Sequence, residues 1–484
     1  MRPAFTLIAF LFVVQLTAQP TSDTWDLRRC VEYAMKNNIS VKLADVQARV
    51  AALQLKQADL AKYPNVTLNT GLGTQFGRSI DRTTNTFSTT QALYNNFQLQ
   101  SGIQVFNWGS IKNNLEFAKF SASAALVDVE KAANDVSINV ATYYLQVLAA
   151  KAQVKITEVQ ILQTKSQLDI TQKRVNAGSL PELNFVELEA QLANDSSNLI
   201  TAQNTYLQNI LVLKGVLNID AGAQFEVEIP ATDKIVLAPL LEMQPEDVYK
   251  LAINNQPLQK ANDLRIKAAE KNILVNKAQM YPTISFGVNL STNFYNTFNK
   301  FDGFSVNGFI PNGDIVNIGG TNYNVTSPNV SIRQTKRNFG QLWEGYSSQL
   351  SNNFGQTFGF NVSVPIFNNG QAKIAYEQSK LNLKTNQINK ESADMTLKQN
   401  IYTSYTNATT SLQKFNAGKK GVESNQKAFD FATKRYEVGL LSTIDLLTNQ
   451  NNLLRAKLQQ VVNEYDYIFK MKLLEFYKGQ GLKL

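Results

Sequence analysis

The sequence specifies an α+β membrane protein: a tandem-repeat protomer with four transmembrane β-strands and long coiled-coil α-helices. Three observations lead there. The chain of 484 residues repeats itself internally. Each repeat holds two period-two segments of ~10 residues, uncharged and apolar on one side, which is the length a tilted strand needs to cross a bilayer. Each repeat then runs into a long helical stripe, and residues 107–179 contain no proline to break the first of these.

The repeat is read residue by residue. Ala34, Lys42, Asp45, Ala51, Tyr63 and Pro64 recur 218 positions later as Ala252, Lys260, Asp263, Ala269, Tyr281 and Pro282. Phe106, Asn107, Gly109, Arg174, Gly178 and Tyr206 recur 261 positions later as Phe367, Asn368, Gly370, Arg435, Gly439 and Tyr467. The offsets differ by 43 residues, which places an insertion between Pro282 and Phe367. Its site is the Gly, Asn and Ser-rich run at 302–353, expected as an enlarged extracellular loop or one folded into the mouth.

At the N-terminus, Arg2, the apolar run 5–16 and Ala18 form a secretory signal, residues 1–18. The single cysteine, Cys30, excludes internal disulfides and is expected in a buried helix rather than at a lipoprotein site. The chain has no histidine, which removes Ser-His and Cys-His catalysis and His-ligated zinc. The formal charge of +9 is spread without a basic patch interleaved with aromatics, so no nucleic-acid partner is expected. An enzyme is not expected, and neither is a cofactor or a metal.

In the first repeat, helices occupy residues 19–63 and end at Tyr63-Pro64, because a residue before proline is pushed out of the α region. Barrel strands follow at 64–106. Val66, Leu68, Leu72 and Phe76 alternate with Asn65, Thr67, Asn69 and Gln75, and Phe97, Leu99, Ile103 and Val105 return against Gln98, Gln100 and Gln104. A long helical hairpin spans 107–217, with apolar residues and many alanines at spacings of three and four. A linker at 218–246, with one short strand near Phe225, leads to the second repeat. There the helices occupy 247–281, strands and enlarged loop 282–366, and the second hairpin 367–478, before a tail at 479–484. Four strands cannot close a membrane barrel, which takes ~8 or more, so other copies of the chain must complete the sheet. The remaining alternative for the strands is an ordinary half-solvated sheet. Trp108 and Trp343 are expected as interfacial aromatics, with a turn role equally open for Trp108.

Each hairpin turns at a glycine preceded by a basic residue, Arg174 with Gly178 and Arg435 with Gly439. Ser179 with Glu182, and Ser442 with Asp445, fit capping boxes for the returning helices.

The order helix, Tyr-Pro, strand pair, Phe-Asn-x-Gly, long helix, glycine tip and return helix, performed twice, resembles the TolC-like outer-membrane efflux proteins. The resemblance covers essentially the whole mature chain. It implies a homotrimer whose strands make one twelve-stranded barrel in the lipid of the outer membrane of a Gram-negative-type cell, with the helices forming a periplasmic tunnel. The partners it implies are a periplasmic adaptor and an inner-membrane pump, and the function an exit duct of a tripartite efflux system. Two alternatives stay open: the exit duct of a type I protein-secretion machine, and an exported coiled-coil structural protein without a pore. The resemblance also implies a periplasmic gate at the tips. Tyr436 matches the family's tyrosine and Asp445 its first aspartate, while Thr448 stands at the second aspartate, Leu441 at an arginine and Asn184 at an aspartate of the first tip. Asp445 has two readings, a ring of acids around an axis and a helix cap. Gly178, Val438, Gly439 and Leu440 match the adaptor-docking tip.

Overall fold

A computed structural model describes residues 24–81, 86–229, 235 and 237–479. The signal segment 1–18 and the end of the tail lie outside the described residues. The chain separates into two units. One is formed by residues up to 55, 117–270 and from 381 on; the other by 56–116 and 271–380.

The first unit is helical. β1 (Thr24–Trp25) pairs in parallel with β4 (Glu226–Val227), so the linker strand docks beside the segment that leads into the first helix. α1 (Leu27–Asn37) follows, capped by Asp26, whose carboxylate accepts Arg29 N–H. The helical stretch expected in each repeat is made of two helices. Asn38 leaves the α region and ends α1, while its side-chain oxygen accepts Ser40 N–H and opens α2 (Ile39–Leu60). In the second repeat α5 (Pro245–Asn255) stops at extended Gln256, because Pro257 begins α6 (Pro257–Ala278). The long rods are α3 (Ser110–Asn176) and α8 (Gln371–Glu437), 67 residues each, about 100 Å at 1.5 Å per residue. They return as α4 (Glu182–Leu217) and α9 (Thr443–Lys478).

The main core of this unit lies where α1, α3, α4 and α9 meet, around Tyr144, Leu148, Leu213 and Leu217. Tyr144 is buried and its hydroxyl donates to Glu228 O at 2.7 Å, tying the linker to α3. Burial pushes that phenol well above its ordinary value. Cys30 sits in the same core as a fully buried helical residue. A second core packs α5 on α8 and α9 through Val248, Ile401 and Met471.

The second unit contains a four-stranded antiparallel sheet. Its strands are β2 (Asn65–Asp81), β3 (Thr86–Phe106), β5 (Thr283–Thr297) and β8 (Gly355–Ser363), adjacent in that order. Three of them are longer than the ~10 residues the apolar dyad indicates, at 17, 21 and 15 residues, since pairing continues past the polar positions where the dyad stops. Register aligns like with like. Leu68, Leu99 and Leu290 share one row, and Ile103, Phe286 and Phe360 another, while Thr67, Gln100 and Asn289 line the opposite face. The apolar face is open over most of its length, with Leu68 64% and Phe360 70% exposed. It is covered toward the far ends of β3 and β5, where Leu93 and Phe294 on the same face are buried under Leu342, Trp343 and Tyr346. A bulge between Gln104 and Phe106 changes one expectation, because Phe106 rather than Val105 pairs with Ile284 and joins the apolar face. No helix among the described residues is long and apolar enough to cross a membrane.

The expected enlarged loop at 302–353 is mostly ordered structure. β6 (Asn299–Ile318) and β7 (Thr321–Lys336) form a hairpin closed by Gly319-Gly320, both at positive φ, as a two-residue primed turn demands. After it, α7 (Tyr346–Asn352) returns to the sheet. Trp343 there stacks on Phe294 at 5.8 Å, packed in a small core with Leu93 and Leu342.

Candidate functional site: the paired helical tips

Both rods end the same way. At the first tip Gly178 N–H donates to Val175 O at 2.9 Å and Ser179 N–H to Arg174 O at 2.9 Å. At the second, Gly439 N–H donates to Tyr436 O at 3.0 Å and Leu440 N–H to Arg435 O at 2.8 Å. This is a Schellman closure in each copy, and it needs a left-handed residue, which the glycines supply at φ 76° and 77°.

The two tips differ in how the next helix starts. Ser442 accepts Asp445 N–H at 3.1 Å and donates its hydroxyl to the Asp445 carboxylate at 2.6 Å, so the second cap is formed. The cap expected of Ser179 and Glu182 is absent. α4 begins after Pro181 without a side-chain cap, and the Ser179 hydroxyl turns back to donate to Arg174 O at 2.9 Å. Pro181 holds the N-cap position that Ser442 fills in the second tip, and Ser179 stands two residues before it, opposite Leu440 in the repeat.

Tyr436 is buried in a cluster with Phe429, Leu446 and Leu453, against half-buried Leu441. Its hydroxyl shares a hydrogen bond at 3.2 Å with Thr171 on the first rod. Arg174 reaches across as well, donating to Glu437 O and, at 3.5 Å, to Tyr436 O. Its guanidinium thus caps the carbonyl end of α8, where the helix dipole is negative. Leu441 is apolar, and the positive charge at the second tip's backbone comes from Arg174 of the first tip.

Above this pair lies a buried polar seam. Thr164 donates to Asp195 at 2.6 Å and accepts from Gln450 at 3.0 Å. Gln191 donates to Asp195 at 2.8 Å and to Asn451 at 3.3 Å. Thr164, Asp195 and Gln450 are at most 2% exposed, so the seam spans the interior between the two hairpins. A buried carboxylate is costly unless its oxygens are satisfied, and here both are.

The sequence-derived residues therefore fall into three groups. Tyr436 and Leu441 sit at the junction of the tips. Asp445 and Thr448 are exposed on the first turns of α9, with the Thr448 hydroxyl donating to Ile444 O at 2.8 Å. Asn184 is half-buried on α4, and none of its bonds reaches the second tip; its N–H meets Pro181 O at 3.2 Å. Gly178, Val438, Gly439 and Leu440 form the exposed ends, Val438 at 69% and Leu440 at 68%. Thr171, Arg174, Thr164, Asp195 and Gln450 were not singled out as contacts. A signal existed: Thr157, Thr164 and Thr171 recur every seventh residue and are all buried, a polar line inside an otherwise apolar seam.

Nothing in this constellation activates a nucleophile or shuttles a proton. It joins two helical ends by donors on one and acceptors on the other. A family model described as outer membrane efflux protein matches residues 31–218 and 320–475, well over half of the chain. The chain belongs to the outer membrane efflux protein family. Outer membrane protein TolC of Escherichia coli K12 is 23% identical over 334 residues, 68% of this chain, and the matched stretch spans 58% of the length of TolC. Outer membrane efflux protein BepC of Brucella suis is 21% identical over 448 residues, 90% of this chain and 81% of BepC. Among solved structures, CusC superposes with a TM-score of 0.73 at 16% identity, covering 94% of this chain and 92% of that one. The Campylobacter jejuni CmeC outer membrane channel gives 0.70 at 17% identity, covering 94% and 86%. An outer membrane efflux protein has its place in the outer membrane, and the helix-and-sheet fold above is that of the solved channels.

Proposed function

We propose that this outer membrane efflux protein is the exit duct of a tripartite exporter, a homotrimer that receives substrate from an inner-membrane pump through a periplasmic adaptor. The observation that carries the reading is the open sheet. β2 and β8 each have one strand neighbour among the described residues, and their apolar side chains, among them Leu68, Phe76, Phe358 and Phe360, are exposed. Unpaired backbone cannot face lipid, so a membrane sheet of this kind must close on itself. Three protomers contribute twelve strands, enough for a barrel.

The tips then form the periplasmic gate and docking end. Arg174 and Thr171 hold the second tip against the first within a protomer, and Asp445 from three copies lines the constriction. Gly178, Val438, Gly439 and Leu440 present the adaptor surface. Exposed Val438, Leu440 and Ile444 make that end apolar enough to bury against a partner. The energy for transport comes from the pump, and the duct itself carries out no chemistry.

Conductance of the purified protein in planar bilayers tests this. A trimer should give discrete channels of small conductance that widen when Arg174 is replaced by Ala. A folded trimer giving no channel, with or without Asp445→Ala, would refute the duct.

A further inference from the structure

The two repeats differ at one place where the fold alone gives no reason for it. The turn after β3 is Asn107-Trp108-Gly109 and its counterpart after β8 is Asn368-Asn369-Gly370. Both central residues are left-handed, Trp108 at φ 53° and Asn369 at φ 54°. Asparagine tolerates that conformation, whereas a bulky side chain adopts it rarely and under strain. The turn therefore forms with Asn, and Trp108 is retained against local preference.

What Trp108 builds is a cleft of about 300 Å³ lined by Trp108, Asn113, Leu274, Lys277, Ala278 and Tyr281. The indole packs between Phe106 at 5.2 Å and Tyr281 at 4.9 Å, and its N–H donates to Pro282 O at 2.7 Å. The bulge at Gln104 has already turned Phe106 onto the apolar face of the sheet. The aromatic group thus stands on the face that meets lipid, at the end of the strands from which α3 departs. Lys277 is exposed there and has no carboxylate partner among the described residues.

The equivalent positions of the other repeat carry opposite chemistry. Lys277 corresponds to Asp59, which pairs with Lys62 at 2.5 Å, and Asn113 corresponds to Ile374. The related positions of the other repeat therefore lack the tryptophan, and the residue at the place of Lys277 is an acid already paired with a lysine, with Lys56 standing at the place of Leu274.

We propose that the Trp108 and Lys277 cleft seats the phosphate headgroup of an anionic phospholipid, with an acyl chain lying along Phe106 and Ile284. The proposal rests on the strands spanning the outer membrane with the helices on the periplasmic side. That orientation puts the cleft at the inner leaflet, where the anionic lipid is a phospholipid and not lipopolysaccharide. The Lys277 ammonium meets the phosphate, Tyr281 and Trp108 lie at headgroup depth as amphipathic rings, and one such lipid binds per protomer.

The test uses the full-length trimer in phosphatidylcholine vesicles containing increasing fractions of phosphatidylglycerol with brominated chains. A parallel series carries brominated phosphatidylcholine. Tryptophan emission lost in wild type but not in Trp108→Phe isolates the quenching of Trp108 from that of Trp25 and Trp343. Half-quenching should fall at a phosphatidylglycerol fraction about fivefold lower than for phosphatidylcholine. Lys277→Gln, a change at an exposed side chain, should bring the two curves together, while Asp59→Asn leaves the preference in place. Equal curves for the wild type, or a preference that survives Lys277→Gln, would overturn the site but leave the membrane placement intact. Displacement of phosphatidylglycerol by lipopolysaccharide at equal phosphate would overturn the inner-leaflet assignment. No Trp108 quenching by either lipid would overturn the placement beneath it as well.

Discussion

Arg174 shows how a single side chain can replace an ion pair. Its partners are the carbonyls of Tyr436 and Glu437, which carry partial charge only, so the contact depends on hydrogen-bond geometry and the helix dipole more than on a second full charge. Arg174→Ala should weaken the junction by about 2 kcal/mol, the range of a hydrogen bond to a charged group. Tyr436→Phe removes the Thr171 bond, for about 1 kcal/mol. Amide exchange at the last turn of α8, followed by mass spectrometry, should accelerate in that order; an unchanged rate in Arg174→Ala would mean the clamp does not hold the tip. Cys30 makes a separate prediction. Burial holds its thiol up at about 12, so at pH 8 the native protein should resist alkylation while the unfolded chain reacts fully. Rapid stoichiometric labelling of the native protein would place Cys30 outside the core.

The helices were legible because their signal is redundant. Apolar stripes over 67 residues survive any local exception, including Gly418 and Gly421 inside α8. What escaped was decided by one or two residues. Asn38 splits the first helix by serving both as its end and as the next cap, with its amide also donating to Val216 O at 2.7 Å, a tertiary contact no local pattern reveals. Gln256-Pro257 was readable from the proline alone. The β6–β7 hairpin was hidden by its Gly and Asn content, although Ile318-Gly319-Gly320-Thr321 is a two-residue turn signature. Between the tips, one serine caps and its counterpart does not. Ser442→Ala should therefore destabilise the start of α9 by about 1 kcal/mol, whereas Ser179→Ala leaves the start of α4 unchanged. Limited proteolysis at the two tips measures this, and equal sensitisation by both substitutions would contradict the observed caps.

In the proposed trimer the tip contacts separate two properties that one lock of charged pairs would combine. The Arg174 and Thr171 junction sets how far the second tip stands from the first within each protomer. Asp445 is already satisfied locally by Ser442, and its carboxylate is exposed, so nothing in the protomer holds it to the first tip. Three such carboxylates brought near an axis repel one another and draw in cations. Loosening the junction should therefore widen the channel, and removing the carboxylate should abolish cation block. Arg174→Ala is expected to raise the open-to-closed ratio by up to about 30-fold, what a loss of about 2 kcal/mol in closed-state stability permits, while divalent cations still block it. Asp445→Asn should lose the divalent block with little change in conductance. The double variant should show both effects together. Salt gives a further discriminant: because Arg174 meets carbonyls and not a carboxylate, raising ionic strength should leave the closed fraction nearly constant in wild type. A closed state that opens steeply with salt, or a divalent block that persists in Asp445→Asn, would move the gate away from these residues.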